Sequence, residues 1–257
     1  MRILKWTAAV VCAGILTACS SPTNGETGSE NGPGSLQGTS SVAEKSSAST
    51  ESVSSASQMA LRWVDTKMGF SISQTEITQS DYSSLMGSLP EQLRNSVGDS
   101  FPVANVSWYD AILFANALSK KMDLDTAYSY TSRGAGNKLV GLRADFSKKA
   151  VRLPTSDEWK KSYQAGNLDT YYWGTDVASK YAQYILTDGY RPVALKLPNA
   201  LGLYDMAGNV SEWTADTALQ GGSWRSKASE LAWNQVEKKT PDFASNETGL
   251  RIVLVGE

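Results

Sequence analysis

The stretch Pro198-Asn-Ala-Leu-Gly-Leu-Tyr-Asp-Met-Ala-Gly-Asn-Val-Ser-Glu-Trp213 places its apolar residues in short runs broken by turn formers, a hairpin-like block rather than a helix. The segments around it carry the regular structure. Val106-Ser107-Trp108-Tyr109-Asp110 predicts a helix start, with Ser107 as cap, Asp110 three residues on, and Ala111, Phe114, Ala115 and Leu118 as one apolar stripe. Arg152-Leu153-Pro154-Thr155-Ser-Asp-Glu158-Trp159 repeats the device with Thr155 and Glu158. Phe70 to Ile77 alternates at its start and reads as a strand, and Gly222-Ser-Trp224 and Gly249 to Val255 read as C-terminal strands, the last apolar enough to be central. Seven of the eight Trp fall beyond residue 59, among short apolar runs and frequent turns, which points to α+β architecture with irregular loops.

Composition removes much of enzymology. The 257 residues include no histidine and two cysteines, Cys12 and Cys19. Beyond residue 19 there are no imidazole bases, no thiol nucleophiles and no disulfides, which leaves carboxylate, hydroxyl and amine chemistry, or binding. With 24 basic against 26 acidic residues, no charge excess calls for nucleic acid.

Arg2 and Lys5 precede the apolar run Trp6 to Leu16, too short to span a bilayer and the right size for a signal core. Leu16-Thr17-Ala18-Cys19 resembles a bacterial lipobox, which implies removal of residues 1–18 as a signal peptide and lipidation of Cys19. Residues 19–58 hold no aromatic residue and few aliphatic ones, and predict a disordered Ser/Gly-rich tether spanning about 35 Å as a flexible coil. Residues 59–257 form the expected folded domain, large enough for one sizeable core. The expected location is the outer membrane or cell surface, with the membrane as a partner through Cys19.

Seven blocks occur in order: Phe70 to Thr78, Phe101 to Ala111, Arg152 to Trp159, Tyr172-Trp-Gly174, Pro198 to Trp213, Gly221-Gly-Ser-Trp224 and Gly249-Leu-Arg251. Together they resemble the sulfatase-modifying factor family, the formylglycine-generating enzymes and their relatives, over nearly all of residues 59–257. The resemblance implies a C-type-lectin-like fold of the formylglycine-generating-enzyme subtype, with a short twisted antiparallel sheet, two flanking helices and extensive ordered loops.

The departures bear on activity. In the oxidising members, two cysteines stand at the second and seventh positions after the Gly-Gly-Ser-Trp tryptophan and bind copper and the substrate thiol. Here those positions are Ser226 and Leu231, which cannot form a soft two-thiolate copper site. The iron-dependent branch uses a histidine cluster that this chain lacks. The expectation is that the domain is not an enzyme and requires no cofactor.

Similarity extends to the variable proteins of diversity-generating retroelements, in which the Gly-Gly-Ser-Trp block opens a changeable stretch. That likeness implies a recognition surface on the C-terminal segment, with Trp224, Arg225, Ser226, Lys227, Ser229, Glu230, Leu231, Ala232, Trp233, Asn234 and Phe243 as candidate ligand contacts for an unknown protein or glycan. The same segment also reads as a solvated loop. Adenine-directed mutagenesis of AAC or AAT codons can yield Arg225, Ser226, Ser229, Leu231, Ala232, Asn234, Phe243 and Ala244. It cannot yield Lys227, Glu230, Trp233, Gln235, Glu237, Lys238 or Lys239, which need other codons or are fixed.

By the same resemblance, Asn209 and Glu212 occupy positions that help bind a structural calcium with backbone carbonyls; the same groups also read as satisfying a buried turn. Two further readings stand beside display: a structural lipoprotein of a cell-envelope or secretion assembly, and an enzyme of unrecognised chemistry.

Overall fold

The computed structural model describes residues 61–256. The expected signal peptide 1–18 and the expected lipidated Cys19 and tether of 19–58 lie outside the described residues. Three helices, α1 (Gln79–Met86), α2 (Trp108–Lys121) and α3 (Ser156–Gln164), accompany twelve short strands. In chain order these are β1 (Trp63–Asp65), β2 (Phe70–Ser73), β3 (Tyr128–Ser129), β4 (Ser132–Arg133), β5 (Leu139–Val140) and β6 (Arg143–Ala144). Then follow β7 (Ala150–Arg152), β8 (Ser211–Trp213), β9 (Ala218–Gln220), β10 (Val236–Lys238), β11 (Thr248–Gly249) and β12 (Val253–Val255). The fold is α+β. Among the described residues no helix is long and apolar enough to cross a membrane.

The first sheet is antiparallel, in the order β1-β2-β12-β7. Val253 is fully buried between Ile72 and Arg152, so the C-terminal apolar run is central as its composition predicts. The second sheet runs β10-β9-β8-β11, with β11 parallel to β8. The pairs β3–β6 and β4–β5 form a separate ribbon.

Both predicted helix starts are capping boxes. Ser107 accepts from the Asp110 backbone while Asp110 reaches back to the Ser107 amide, and Thr155 and Glu158 do the same for α3. The α2 stripe of Ala111, Phe114, Ala115 and Leu118 is buried against β7 and α1. Tryptophans fill the interior with their ring N–H groups satisfied: Trp213 donates to the Val106 carbonyl at 2.8 Å and Trp108 to that of Thr214 at 2.9 Å.

Four expectations need correction. Two flanking helices become three, because α1 is too polar to show an apolar stripe and is held by its ends: Thr78 caps it and Gly87, at φ 79°, closes it. The Phe70–Ile77 strand stops at Ser73, and Ile77 instead donates its amide to the Leu250 carbonyl at 2.9 Å. Gly222 to Trp224 is not a strand, since Gly221 and Gly222 adopt φ of 91° and 71°, a turn that only glycine adopts without strain. Gly249 to Val255 is likewise split into β11 and β12, and the break between them turns Arg251 into the core.

Candidate ligand-binding site

The C-terminal segment that follows this glycine turn walls a cavity of about 460 Å³. Ser211 and Leu219 belong to β8 and β9, Ser223 and Ser226 to the turn, Val236 and Glu237 to β10, and Glu230 and Glu247 to the flanking loops. Its lining is mostly polar. Ser223 Oγ donates to Glu247 Oε2 at 2.5 Å, and the Ser223 amide donates to Ser226 Oγ at 3.0 Å. Glu230 caps its own short 3-10 turn by accepting from the Lys227 amide at 2.8 Å. A larger cavity of about 570 Å³, between Leu61, Thr78, Val193 and Tyr204, includes no residue of the C-terminal segment.

The structure separates the predicted contacts into two groups. Arg225, Lys227, Ser229, Glu230 and Asn234 are exposed, Ser226 is half-buried and with Glu230 lines the cleft, and Trp233 and Phe243 are half-buried against the core clusters. Trp224, Leu231 and Ala232 are buried. Trp224 donates its ring N–H to the Asn246 carbonyl at 3.1 Å, and the Arg225 guanidinium covers its ring at 4.5 Å. Leu231 packs in the core beside Trp159 and Tyr163, and Tyr163 donates its hydroxyl to the Leu231 carbonyl at 2.8 Å. Three cations lie over rings of this face: Arg225 over Trp224, Lys160 over Trp233 at 4.1 Å, and Lys239 over Phe243 at 4.6 Å.

Ser226 and Leu231 do meet. A methyl placed on Gly222 would lie 3.0 Å from Ser226 Oγ and 3.0 Å from Leu231 Cδ2, so both flank the same glycine. The pair expected to replace a copper-binding cysteine pair is therefore assembled, with a hydroxyl and a buried isobutyl group. Neither fits a soft copper ion.

A segment without a signal in the sequence pairs with the backbone of the turn. Ile185 donates its amide to the Ser226 carbonyl at 3.1 Å, and Leu186 donates to that of Trp224 at 2.7 Å. Ile185 holds φ 52°, a left-handed conformation costly for a β-branched residue, yet its side chain is 61% exposed and regains little by burial. The segment is seated by Gly208, where a Cβ would fall 2.2 Å from the Gln183 carbonyl oxygen. Only glycine permits that approach.

Beneath the surface lies a buried ionic cluster. Arg251 Nε donates to both Glu212 oxygens at 3.0 and 2.9 Å, Nη2 to Glu212 Oε1 at 2.9 Å, and Nη1 to the Ser73 carbonyl at 2.8 Å. Trp159 adds its ring N–H to Glu212 Oε2 at 2.5 Å. Asn209 donates to Glu76 Oε2 at 2.7 Å and accepts the Arg191 amide at 2.9 Å, while the Val210 amide donates to Glu76 Oε1 at 2.9 Å. Burial, then the charges of Asp205 and Glu212, pushes Glu76 well above the usual carboxylate range. Burial likewise pushes Asp205 up to about 6; its Oδ2 accepts the Ala194 amide at 2.6 Å and its Oδ1 has no partner.

The side chains of Asn209 and Glu212 are taken up within this cluster, so a calcium here would be held by backbone carbonyls, as the resemblance implies. Glu212 is taken up by a guanidinium and an indole N–H, both of which repel a cation, and Asn209 holds Glu76 in place. Among the described residues no group of three or more Asp, Glu, His or Cys is arranged to hold a metal ion.

Comparison with known proteins places this geometry. The model of the sulfatase-modifying factor enzyme 1-like domain matches residues 33–255. Among curated proteins, the chain is 26% identical over 225 residues to "Chaperone protein LppX" of Paenibacillus barcinonensis, covering 72% of this chain and 79% of that one. It is 32% identical over 179 residues to "Inactive C-alpha-formylglycine-generating enzyme 2" of Mus musculus, covering 58% of this chain and 55% of that longer protein. Among solved structures, Treponema denticola variable protein 1 superposes with a TM-score of 0.64 at 28% identity, covering 73% of this chain and 84% of that one. Similarity to a variable protein and to an inactive enzyme homologue fits a non-catalytic domain of this fold.

Proposed function

The chain belongs to the sulfatase-modifying factor enzyme 1-like family, and from that premise we propose that its domain works as a surface-tethered, catalytically silent binding protein. The ligand, a protein or glycan, is held by the exposed residues of the 225–243 segment and the cleft they wall. The observation that carries this reading is the division of that segment. Trp224, Leu231 and Ala232 anchor it in the core, while Arg225, Lys227, Ser229, Glu230 and Asn234 are exposed, with Ser229 and Asn234 making no side-chain hydrogen bond among the described residues. The likeness to a variable protein supports a surface that changes between copies. Lipid attachment at Cys19 and an outer-membrane or cell-surface location belong to the same proposal, on the lipobox and the tether composition.

The test is the surrounding DNA. The reading expects a near-copy of the coding sequence for residues 225–248 close by, differing at adenines, beside a reverse transcriptase gene. A genome without such a copy removes the variable-surface reading.

A second reading is favoured by the likeness to a protein named as a chaperone over most of both chains. On it, the same fold docks a fixed partner in an envelope or secretion assembly. Stable co-purification of an envelope protein that survives Arg225→Ala and Trp233→Ala supports this reading over display.

A further inference from the structure

The ribbon between α2 and β7 carries a concentration of positive charge that the recognition face does not use. Residues 131–149 hold Arg133, Lys138, Arg143, Lys148 and Lys149 against a single acid, Asp145, a net of +4 within a chain whose formal charge is -2. Everything else in the chain therefore sums to -6. All five cations are exposed, and none forms a salt bridge among the described residues. Arg133 donates to Asn137 Oδ1 at 2.6 Å, which orients its guanidinium without neutralising it.

The ribbon is preorganised. Ser129 pairs with Arg143 and Arg133 with Leu139 across its two ladders. Tyr128 and Leu139 anchor it in the main core, Asn116 donates to the Tyr128 carbonyl at 2.9 Å, and Asn137 donates to Asp110 Oδ1 at 2.5 Å. Cations carried on a backbone already ordered by pairing lose little backbone freedom when an anion binds. The cations line neither of the two large cavities, so they suit an extended polyanion better than a small anion. Exposed Val140 and Phe146 lie among them, 46% and 37% accessible, and offer apolar contact of the kind a sugar ring presents.

Lys148 and Lys149 precede Ala150, which pairs with Val255 at the end of the first sheet opposite the Trp63–Ser73 pair. Exposed cations with apolar side chains among them match an acidic polysaccharide by charge complementarity and by the apolar faces of its sugar rings.

We propose that the 131–149 ribbon docks an acidic polysaccharide, independently of the ligand taken by the C-terminal face. The probe is heparin, titrated at increasing salt against the full-length chain in detergent. Arg143→Gln/Lys148→Gln/Lys149→Gln is compared with Arg94→Gln/Lys161→Gln/Lys180→Gln, and each is checked for an unchanged melting transition. If the ribbon triple misfolds, Lys148→Gln/Lys149→Gln in the exposed turn replaces it. Wild type binds with a steep salt dependence, the ribbon variant loses at least about tenfold in affinity, and the control keeps its affinity. Absence of heparin binding, equal loss in both variants, or binding to phosphatidylglycerol vesicles or duplex DNA but not to heparin overturns the proposal.

Discussion

Arg251 and Glu212 meet through three hydrogen bonds in an environment that excludes solvent, with 0% and 1% of their side chains accessible. Removing one partner strands the other charge in the core, where it has no water to replace the lost bonds. Glu212→Gln and Arg251→Met are each expected to destabilise the domain by about 3–5 kcal/mol, lowering Tm by roughly 10 °C for a domain of this size. The double variant should lose less than the sum, because neither charge is then left alone. Urea unfolding followed by Trp fluorescence reads all three.

The cluster also sets an unusual pH dependence. Burial holds Glu76 and Asp205 above their ordinary range, Asp205 at about 6, so the folded protein binds protons that the unfolded chain has released. Their contribution is fully present below the ordinary carboxylate value near 4; that of Asp205 is lost as pH rises through about 6, and that of Glu76 as pH rises through its own raised value. Asp216 acts in the opposite sense. Burial raises it, but the hydrogen bonds from Lys238, Ser156 and Thr214 outweigh that and hold it at about 2, so its contribution disappears as pH falls toward that value. Stability should peak in mildly acid solution, and Asp205→Asn should flatten the decline toward neutrality. Tm measured across the pH range shows whether the slope between about pH 4 and 6 has that sign.

Anchors and presented residues should separate cleanly by stability. Trp224→Ala empties a fully packed site and is expected to cost about 3–5 kcal/mol, whereas Arg225→Ala, exposed beside it, should change stability by less than about 1 kcal/mol. Comparable losses from both, by chemical denaturation, would mean that the segment is packed throughout and displays nothing.

Ile185 provides a strain test. Its side chain is mostly solvent-exposed and its backbone is left-handed, so Ile185→Gly should stabilise the domain by about 1 kcal/mol. Gly208→Ala should do the reverse and strongly, because its Cβ would overlap the Gln183 carbonyl. Paired melts of the two variants give opposite signs if the Gln183–Leu186 segment is held as described.

What could be read from residues alone was what is local. The caps at Ser107 and Thr155 announce α2 and α3 because the cap and its returning carboxylate are three residues apart, and the run at Val253 announces a buried strand by composition. α1 stayed hidden because its residues are polar and only its two ends mark it. The ionic cluster joins Glu76 to Asn209 and Glu212 to Arg251 across long separations in the chain, which no periodicity reports. Within the candidate site, the glycine turn and the short 3-10 turn follow neither a period of two nor of 3.6. Nothing in the pattern therefore told Trp224 and Leu231, which are buried, from Arg225 and Glu230, which are exposed. Ile185 carried no signal at all, since its role comes from backbone pairing to Ser226.

On the proposed function, Ser226 and Leu231, which stand where the family resemblance implies two copper-binding cysteines, support binding rather than oxidation. The most direct test is turnover: the purified chain, supplied with Cu(I), oxygen and a cysteine-containing peptide, and followed by mass spectrometry for conversion of the cysteine to an aldehyde. The account predicts no conversion above a protein-free control, because Ser226 and Leu231 offer no thiolate. Repeated turnover that depends on the folded chain would contradict it.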